Sequence, residues 1–466
     1  MSLERKLGVV FFAAVVVRLL FHYLTVFTAD DAFITFRYAE NIAGGVGYVY
    51  NAGEFVQGTT TPLFTFILAL FAVFGLPMPT VALGVTLVCS GLTATVIYRY
   101  ANALRMTRWA GLAAAAYIVF PRSLAADSGG METALFSLLV ITAFYFQYKR
   151  LDIYAIGMAT LATVTRPEGV LLLGLLLVHN LYKHRDRWLS YLLVPAVIVG
   201  PWLLFAYFYF GSIIPNSVAA KLALYSRFGA GSVWDRLVYL MSWHNPLGWI
   251  MFALAIPGLW WLHKKVLSGR LEAIWILMML AFYVFSNTLL FFWYVAPLYP
   301  VYLLLVAASV PWAVERLRFN VIRERKLAPF VYALMVLVLL AGCYRPVMYY
   351  RDFQESMTHV HREVGLYLKT RAAENDLVAA EDIGLMGYLS GLRILDRDGL
   401  VSPEAIPYNR TGDYLGLIQD YRPDWVVATN SPISGFVTDS AFLAHYQQDT
   451  LYSRQDMTCR VFSRRP

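Results

Sequence analysis

The first apolar run, Leu7–Phe27, is 21 residues long, enough to span a bilayer, and it ends three residues before a pair of carboxylates, Asp30 and Asp31. The basic start Arg5-Lys6 predicts a cytoplasmic beginning for this span. No small-residue cleavage site follows it, so a retained helix is expected rather than a signal peptide. Asp30 and Asp31 then emerge on the outer face, where nucleotide sugars and ATP are not expected. Acidic groups placed there suit chemistry on a lipid-carried substrate.

Ten further apolar segments are expected as spans, at about 79–104, 109–121, 131–148, 152–165, 168–182, 188–210, 246–262, 271–290, 293–313 and 328–345. Together with the first they predict a mainly α, polytopic helix bundle of about eleven spans, N-terminus inside and C-terminus outside, with a large first outer loop. The charge map agrees. Eighteen Lys and Arg residues fall at the inner ends and loops, against six outside (Arg37, Arg122, Arg166, Lys221, Arg227 and Arg236). Counting the apolar stretch 62–76 as a further span would put Arg99, Arg105 and Arg108 outside, so it is expected to be re-entrant or interfacial. With 59% hydrophobic and only 15% charged residues, the chain reads as an integral membrane protein. Its net charge of +8 is accounted for by orientation and does not call for a nucleic-acid partner. Cys89, Cys343 and Cys459 offer neither a disulfide framework nor zinc spacing.

Polar residues converge on the outer level. Beyond Asp30-Asp31 and Gly58-Thr59-Thr60-Thr61-Pro62, three short motifs lie at outer ends of spans: Ser128–Thr133 with Glu132, Thr165-Arg166-Pro167-Glu168-Gly169, and Ile214–Ser217 with Lys221 beyond. A carboxylate there can deprotonate a sugar hydroxyl or hold a divalent cation, and Arg or Lys can hold a phosphate oxyanion. Asp30 and Asp31 are the candidate bases and the candidate ligands should a divalent cation be required. Arg166, Arg122 and Lys221 are the candidate phosphate ligands, with Glu168, Glu132, Thr59 and Thr60 as further substrate contacts. Bland readings stand beside these. Asp30 and Asp31 would also suit a helix N-terminus, and Arg166–Glu168 could brace two helix ends around Pro167. Arg18 lies eleven residues beyond Leu7, near the bilayer midplane, where an arginine faces the bundle interior or a wet cavity. A lipid-phosphate contact and a structural hydrogen bond are both open for it.

Asp30–Asn41, Gly47–Glu54, Gly129–Thr133 and Thr165–Gly169 together resemble the GT-C class of polytopic glycosyltransferases, in the branch of the mycobacterial arabinan-capping arabinofuranosyltransferase. The resemblance implies transfer of a sugar from a polyprenyl-phosphate donor to a cell-envelope glycan or lipid acceptor at the outer face of a bacterial or archaeal inner membrane, with inversion. It also implies that an aspartate of the first outer loop, Asp30 or Asp31, is catalytic. The rival from another class, a transporter or flippase of a lipid-linked glycan, predicts internal repeats, and none is visible. A non-catalytic envelope-assembly role would leave the acidic loop idle.

Residues 346–466 lose the apolar runs and carry 16 acids against 12 bases. A buried strand followed by a Gly-containing turn and a helix is expected over 376–388, and further strands at 424–429 and 460–463, so 1–345 reads as a transmembrane catalytic domain and 346–466 as a small extracytoplasmic α/β domain. Glu381 and Asp382 sit where a strand ends, a usual place for ligand contacts. Gly384-Leu-Met-Gly387 lacks the full dinucleotide fingerprint. His359 and His361 do not share a helix face, which argues against a metal site there.

Overall fold

The computed structural model describes residues 2–228, 231–242, 246–266, 269–286, 289–318 and 321–466. Long apolar helices dominate. In chain order they are α1 (Leu3–Thr25), α2 (Asp30–Ala43), α3 (Pro62–Ala72), α4 (Met78–Ala103), α5 (Ala110–Val119), α6 (Pro121–Ser128), α7 (Thr133–Tyr148), α8 (Asp152–Thr165), α9 (Gly169–Lys183), α10 (Trp188–Phe210), α11 (Asn216–Phe228), α12 (Val233–Ser242), α13 (Pro246–Val266), α14 (Arg270–Phe285), α15 (Phe292–Val295), α16 (Tyr299–Arg316) and α17 (Val321–Phe353). Every expected span falls on helical chain: 293–313 runs over α15, a 3-10 turn at Ala296–Leu298 and α16, and each of the others lies mainly on one helix. The expected span 271–290 runs over 287 and 288, which lie outside the described residues, and its helix ends at Phe285. Among the described residues, five helical stretches are long and apolar enough to cross a membrane: Leu3–Thr25, Met78–Ala103, Arg185–Phe210, Phe292–Arg316 and Arg325–Arg371. The helices α5, α7, α8 and α9 are apolar but shorter, with 10, 16, 14 and 15 residues.

α17 does not stop at the end of its apolar stretch. It continues to Phe353, passes through a π turn at Gln354–Thr358 and leads directly into α18 (His359–Arg371). α18 packs on a five-stranded sheet. Its strands are β1 (Leu377–Ala380), β2 (Arg393–Asp396), β3 (Trp425–Thr429), β4 (Tyr446–Arg454) and β5 (Met457–Arg464), in the order β2-β1-β3-β5-β4. β1 pairs parallel with β2 and β3, and β5 runs antiparallel to β3 and β4. The short helix α19 (Gly384–Ser390) follows β1. β2 and β4 were not among the expected strands.

α2 is the hinge of the architecture. Ala32, Phe33, Phe36 and Ala39 pack against Phe64, Leu68, Met78 and Ala82 of α3 and α4. On its other side Ile34 and Tyr38 join Val364, Ile383, Met386 and Ile394 of the sheet domain. α2 therefore carries apolar residues toward two neighbours, and its polar residues Asp30, Asp31, Arg37, Glu40 and Asn41 fall between them.

Arg18 on α1 is fully buried and its role is structural. Its Nε and Nη2 donate to Asp127 Oδ2 at 2.9 and 2.7 Å. The same oxygen accepts from Ser90 Oγ at 3.1 Å and Tyr117 Oη at 3.0 Å. Arg18 and Asp127 thus satisfy one another where neither would be tolerated alone.

Candidate active site

The carboxylates that open α2 point to different neighbours. Asp30 Oδ2 accepts from Gly384 N–H and Oδ1 from Leu385 N–H, both at 2.9 Å. His361 Nδ1 of α18 lies 3.5 Å from Oδ1, and His361 Nε2 lies 3.7 Å from Asp382 Oδ2. Burial alone would raise the Asp30 carboxyl, but the hydrogen bond and charge of His361 and the two amides outweigh it and hold it below its ordinary value. Asp30 is therefore committed to holding the sheet domain. Gly384 makes this approach feasible, since a Cβ there would collide with the Asp30 backbone oxygen and carboxylate.

Asp31 instead faces a cavity of about 360 Å³, shared with Thr59, Thr60, Glu132, Arg166, Glu168 and Lys221. Met131, Ser217, Tyr225, Tyr283, Trp293, Tyr294 and Leu400 complete much of the wall. The Asp31 side chain is exposed on the cavity wall, and the protein packed around it pushes its carboxyl up. Lys221 opposes that shift and the neighbouring Asp30 charge adds to it. Lys221 Nζ donates to Tyr294 Oη at 3.0 Å. Burial by itself would lower the Lys221 ammonium, but Tyr294 and Asp31 outweigh it and hold it charged.

Arg166 is placed by its neighbours in sequence. Pro167 disfavours helical backbone at the residue before it, so α8 ends and Arg166 is extended, at φ −149° and ψ 139°. Gly169 then restarts the helix in contact with the Ala162 backbone, where a Cβ would not fit. Arg166 Nε donates to Glu168 Oε1 at 2.8 Å, and Nη1 lies 3.4 Å from Glu132 Oε1. Tyr283 Oη also donates to Glu168 Oε1, at 2.8 Å. The bracing geometry weighed from sequence is present, and the same side chains line the cavity.

Of the nine candidate residues, seven line the cavity: Asp31, Thr59, Thr60, Glu132, Arg166, Glu168 and Lys221. Asp30 does not, for the reason above. Arg122 does not either; its guanidinium lies over the Tyr239 ring, 5.6 Å from the centroid. The depth of Arg122 was legible in the sequence, and its rotation around the bundle was not. Among the described residues, no group of three or more His, Cys, Asp or Glu side chains is arranged to hold a metal ion.

Sequence reasoning missed Trp293 and Tyr294, although the aromatic run Phe291–Tyr294 at the outer end of a span was the available signal. Beyond the candidates named in it, much of the polar first loop grips the sheet domain. Arg37 donates to the carbonyls of Gly387 (2.8 Å) and Leu392 (2.7 Å), Tyr50 to Ile383 O (2.6 Å) and Asn51 to Ile394 O (2.8 Å), while Glu54 pairs with Arg393 at 2.6 Å.

Residues 348–462 match a family described as a domain of unknown function (DUF8728). Over 257 residues, 49% of this chain, the sequence is 28% identical to the terminal beta-(1->2)-arabinofuranosyltransferase of Mycobacterium tuberculosis. The aligned part is 40% of that protein, so the chain spans about two fifths of this relative's length. The crystal structure of ArnT from Cupriavidus metallidurans in the apo state superposes with a TM-score of 0.65 at 15% identity, over 99% of this chain and 98% of ArnT. ArnT bound to undecaprenyl phosphate gives 0.63 at 13% identity, over 97% of each chain. The chain is homologous to the mycobacterial protein across 49% of its length, and it is an integral membrane protein with the ArnT-like GT-C fold.

Proposed function

We propose that this chain is a glycosyltransferase that moves a sugar from a polyprenyl-phosphate donor to a cell-envelope glycan or lipid acceptor. Residues 1–345 would form the catalytic domain, and 346–466 a domain on the same outer side of a bacterial or archaeal inner membrane. The observation that carries the reading is the position of Asp31, on the wall of a cavity that also presents Lys221 and Arg166. The arabinofuranosyltransferase relative and the fold shared with an undecaprenyl-phosphate complex support the donor class.

The reaction is a single displacement with inversion. The acceptor hydroxyl attacks the anomeric carbon, Asp31 takes its proton, and the bond from that carbon to the lipid phosphate breaks. Lys221 and Arg166 receive the charge on the departing phosphate, Arg166 through its planar fork of donors. Glu132 and Glu168 hold the guanidinium in place. Thr59, Thr60 and the Trp293 and Tyr294 rings contact the sugar. Polyprenyl phosphate is a good leaving group, so orientation and one well-placed base suffice.

The test is turnover of synthetic polyprenyl-phosphate sugars by the purified full chain, with products identified by mass spectrometry. Wild type should form a glycosylated acceptor, and Asp31→Asn should cut turnover by about 10²-fold or more without loss of fold. Near-normal turnover in the folded variant would remove Asp31 as the base. Absence of any sugar-transfer product across a panel of donors and acceptors would remove the reaction.

A further inference from the structure

The helices that hold the candidate site enclose a second cavity at their other ends. Glu132, Arg166, Glu168 and Ser286 mark the near ends of α7, α8, α9 and α14. Gln147, Asp152, Lys183 and Arg270 mark the far ends, where a cavity of about 1180 Å³ opens. At about 1.5 Å per residue, the two lie roughly 20 Å apart along these helices.

This second cavity is strongly basic. Lys149, Arg150, Lys183, Arg187 and Arg270 line it, with His179 and His184, against two carboxylates, Asp152 and Glu272. Both carboxylates are buried and already engaged. Asp152 accepts from Gln147 Nε2 at 3.2 Å and Tyr191 Oη at 3.3 Å, and Glu272 accepts from Tyr100 Oη. Among the described residues, no carboxylate lies within ion-pair distance of Lys149, Arg150 or Lys183. α8 and α14 also begin at this cavity, so their N-terminal dipole ends add to the positive field. Phe144, Tyr148, Leu271 and Ile274 supply an apolar wall, with Ile274 44% exposed, so the cationic pocket adjoins the lipid-facing surface of the helices.

The geometry points to a binding site for the phosphate headgroup of an anionic lipid, separate from the candidate site and independent of the reaction proposed for it. The cations take the phosphate oxygens, and the apolar wall takes the start of the acyl chains. A basic pocket between the ends of membrane helices suits such a headgroup, whereas a soluble phosphate would gain nothing from the apolar wall.

The purified full chain in detergent, titrated with dioleoyl phosphatidylglycerol and read by native mass spectrometry, tests this directly. Dioleoyl phosphatidylcholine and inorganic phosphate are the comparison ligands. Wild type should bind the anionic lipid at least about tenfold more tightly than the zwitterionic one. Lys149→Ala/Lys183→Ala/Arg187→Ala should lose most of that preference, since each cation near a headgroup contributes severalfold. Arg316→Ala/Arg318→Ala, outside the cavity, should keep it. If the triple variant does not fold, the single substitutions carry the test, each with a loss of about threefold. Equal loss in the Arg316/Arg318 control would reduce the effect to general surface charge and overturn the site. No preference in wild type would overturn it too. Inorganic phosphate competing as well as the lipid would overturn the lipid assignment in favour of a soluble phosphorylated ligand.

Discussion

Asp30 and Asp31 are adjacent and chemically identical, yet the fold gives them unlike tasks. Asp30 is spent on two amides and a histidine from residues far along the chain, and Asp31 is left at the cavity wall. Substitutions should separate the two. Asp30→Asn keeps one good acceptor but loses the ion pair with His361, so it should lower the unfolding temperature while retaining much more turnover than Asp31→Asn. It should also move the pH profile. A base works when deprotonated, so kcat/KM should rise with pH through the Asp31 value, which burial and the Asp30 charge raise above the ordinary 3.8. Removing the Asp30 charge should shift that acid limb to lower pH. Removing the Lys221 charge, as Lys221→Gln, should shift it to higher pH. A limb that stays put in both variants would mean that a group other than Asp31 governs it. None of this was legible in the sequence beyond the pair itself. What distinguishes the two carboxylates is a contact between residues 354 positions apart, and local sequence carries no trace of that distance.

At the scale of elements, α2 and α19 are held together by a close approach that tolerates little. Gly384 meets Asp30 and Gly387 meets the Tyr50 hydroxyl, each with no space for a Cβ. Gly384→Ala should therefore push α19 off α2, lower the unfolding temperature by several degrees and cut turnover, although the alanine favours the helix itself. An unfolding temperature at or above wild type would show that α19 can move without consequence. Protonation should act on the same joint. Asp30 is held below 3.8, so its share of stability is present above that pH and is lost as pH falls through the lowered value. His361 is raised well above 6.5, because Asp30, Cys459 and Asp382 outweigh the burial that would lower it. Its share is present below 6.5 and is lost as pH rises through the raised value. Thermal unfolding across pH should show this alkaline loss in wild type and a flatter curve in His361→Gln. The glycines of Gly384–Gly387 were visible in sequence only as a failed dinucleotide motif; their use is a packing distance. β2 was missed because four residues carry too little pattern to identify. β4 was missed because it is an exposed edge strand, polar on nearly all its length.

For the whole molecule, the apolar runs were the legible part. Helices formed where the hydrophobic pattern placed them, because a chain in lipid satisfies its backbone in no other way over such lengths. The orientation proposed from the charge bias calls for reporter fusions at Arg150 and Arg187 to read cytoplasmic, and at Arg351 to read external. A cytoplasmic reading at Arg351 would change the number of crossings by one and put the sheet domain on the wrong side to meet Asp30. The rotation of each helix about the bundle was not legible. That is why Arg122 was expected beside Arg166 and instead lies over Tyr239.

The contact between Asp30 and Gly384 also has a meaning in time. Residue 30 leaves the ribosome long before residue 384, and at about 5–20 residues per second the interval is roughly 20–70 s. During that interval the bundle can insert, but the partner that holds the start of α2 has not yet been made. Until then the chain would occupy the membrane without the contact that seats the start of α2, and it would gain that contact only when the segment carrying Gly384 and Leu385 had been made and docked.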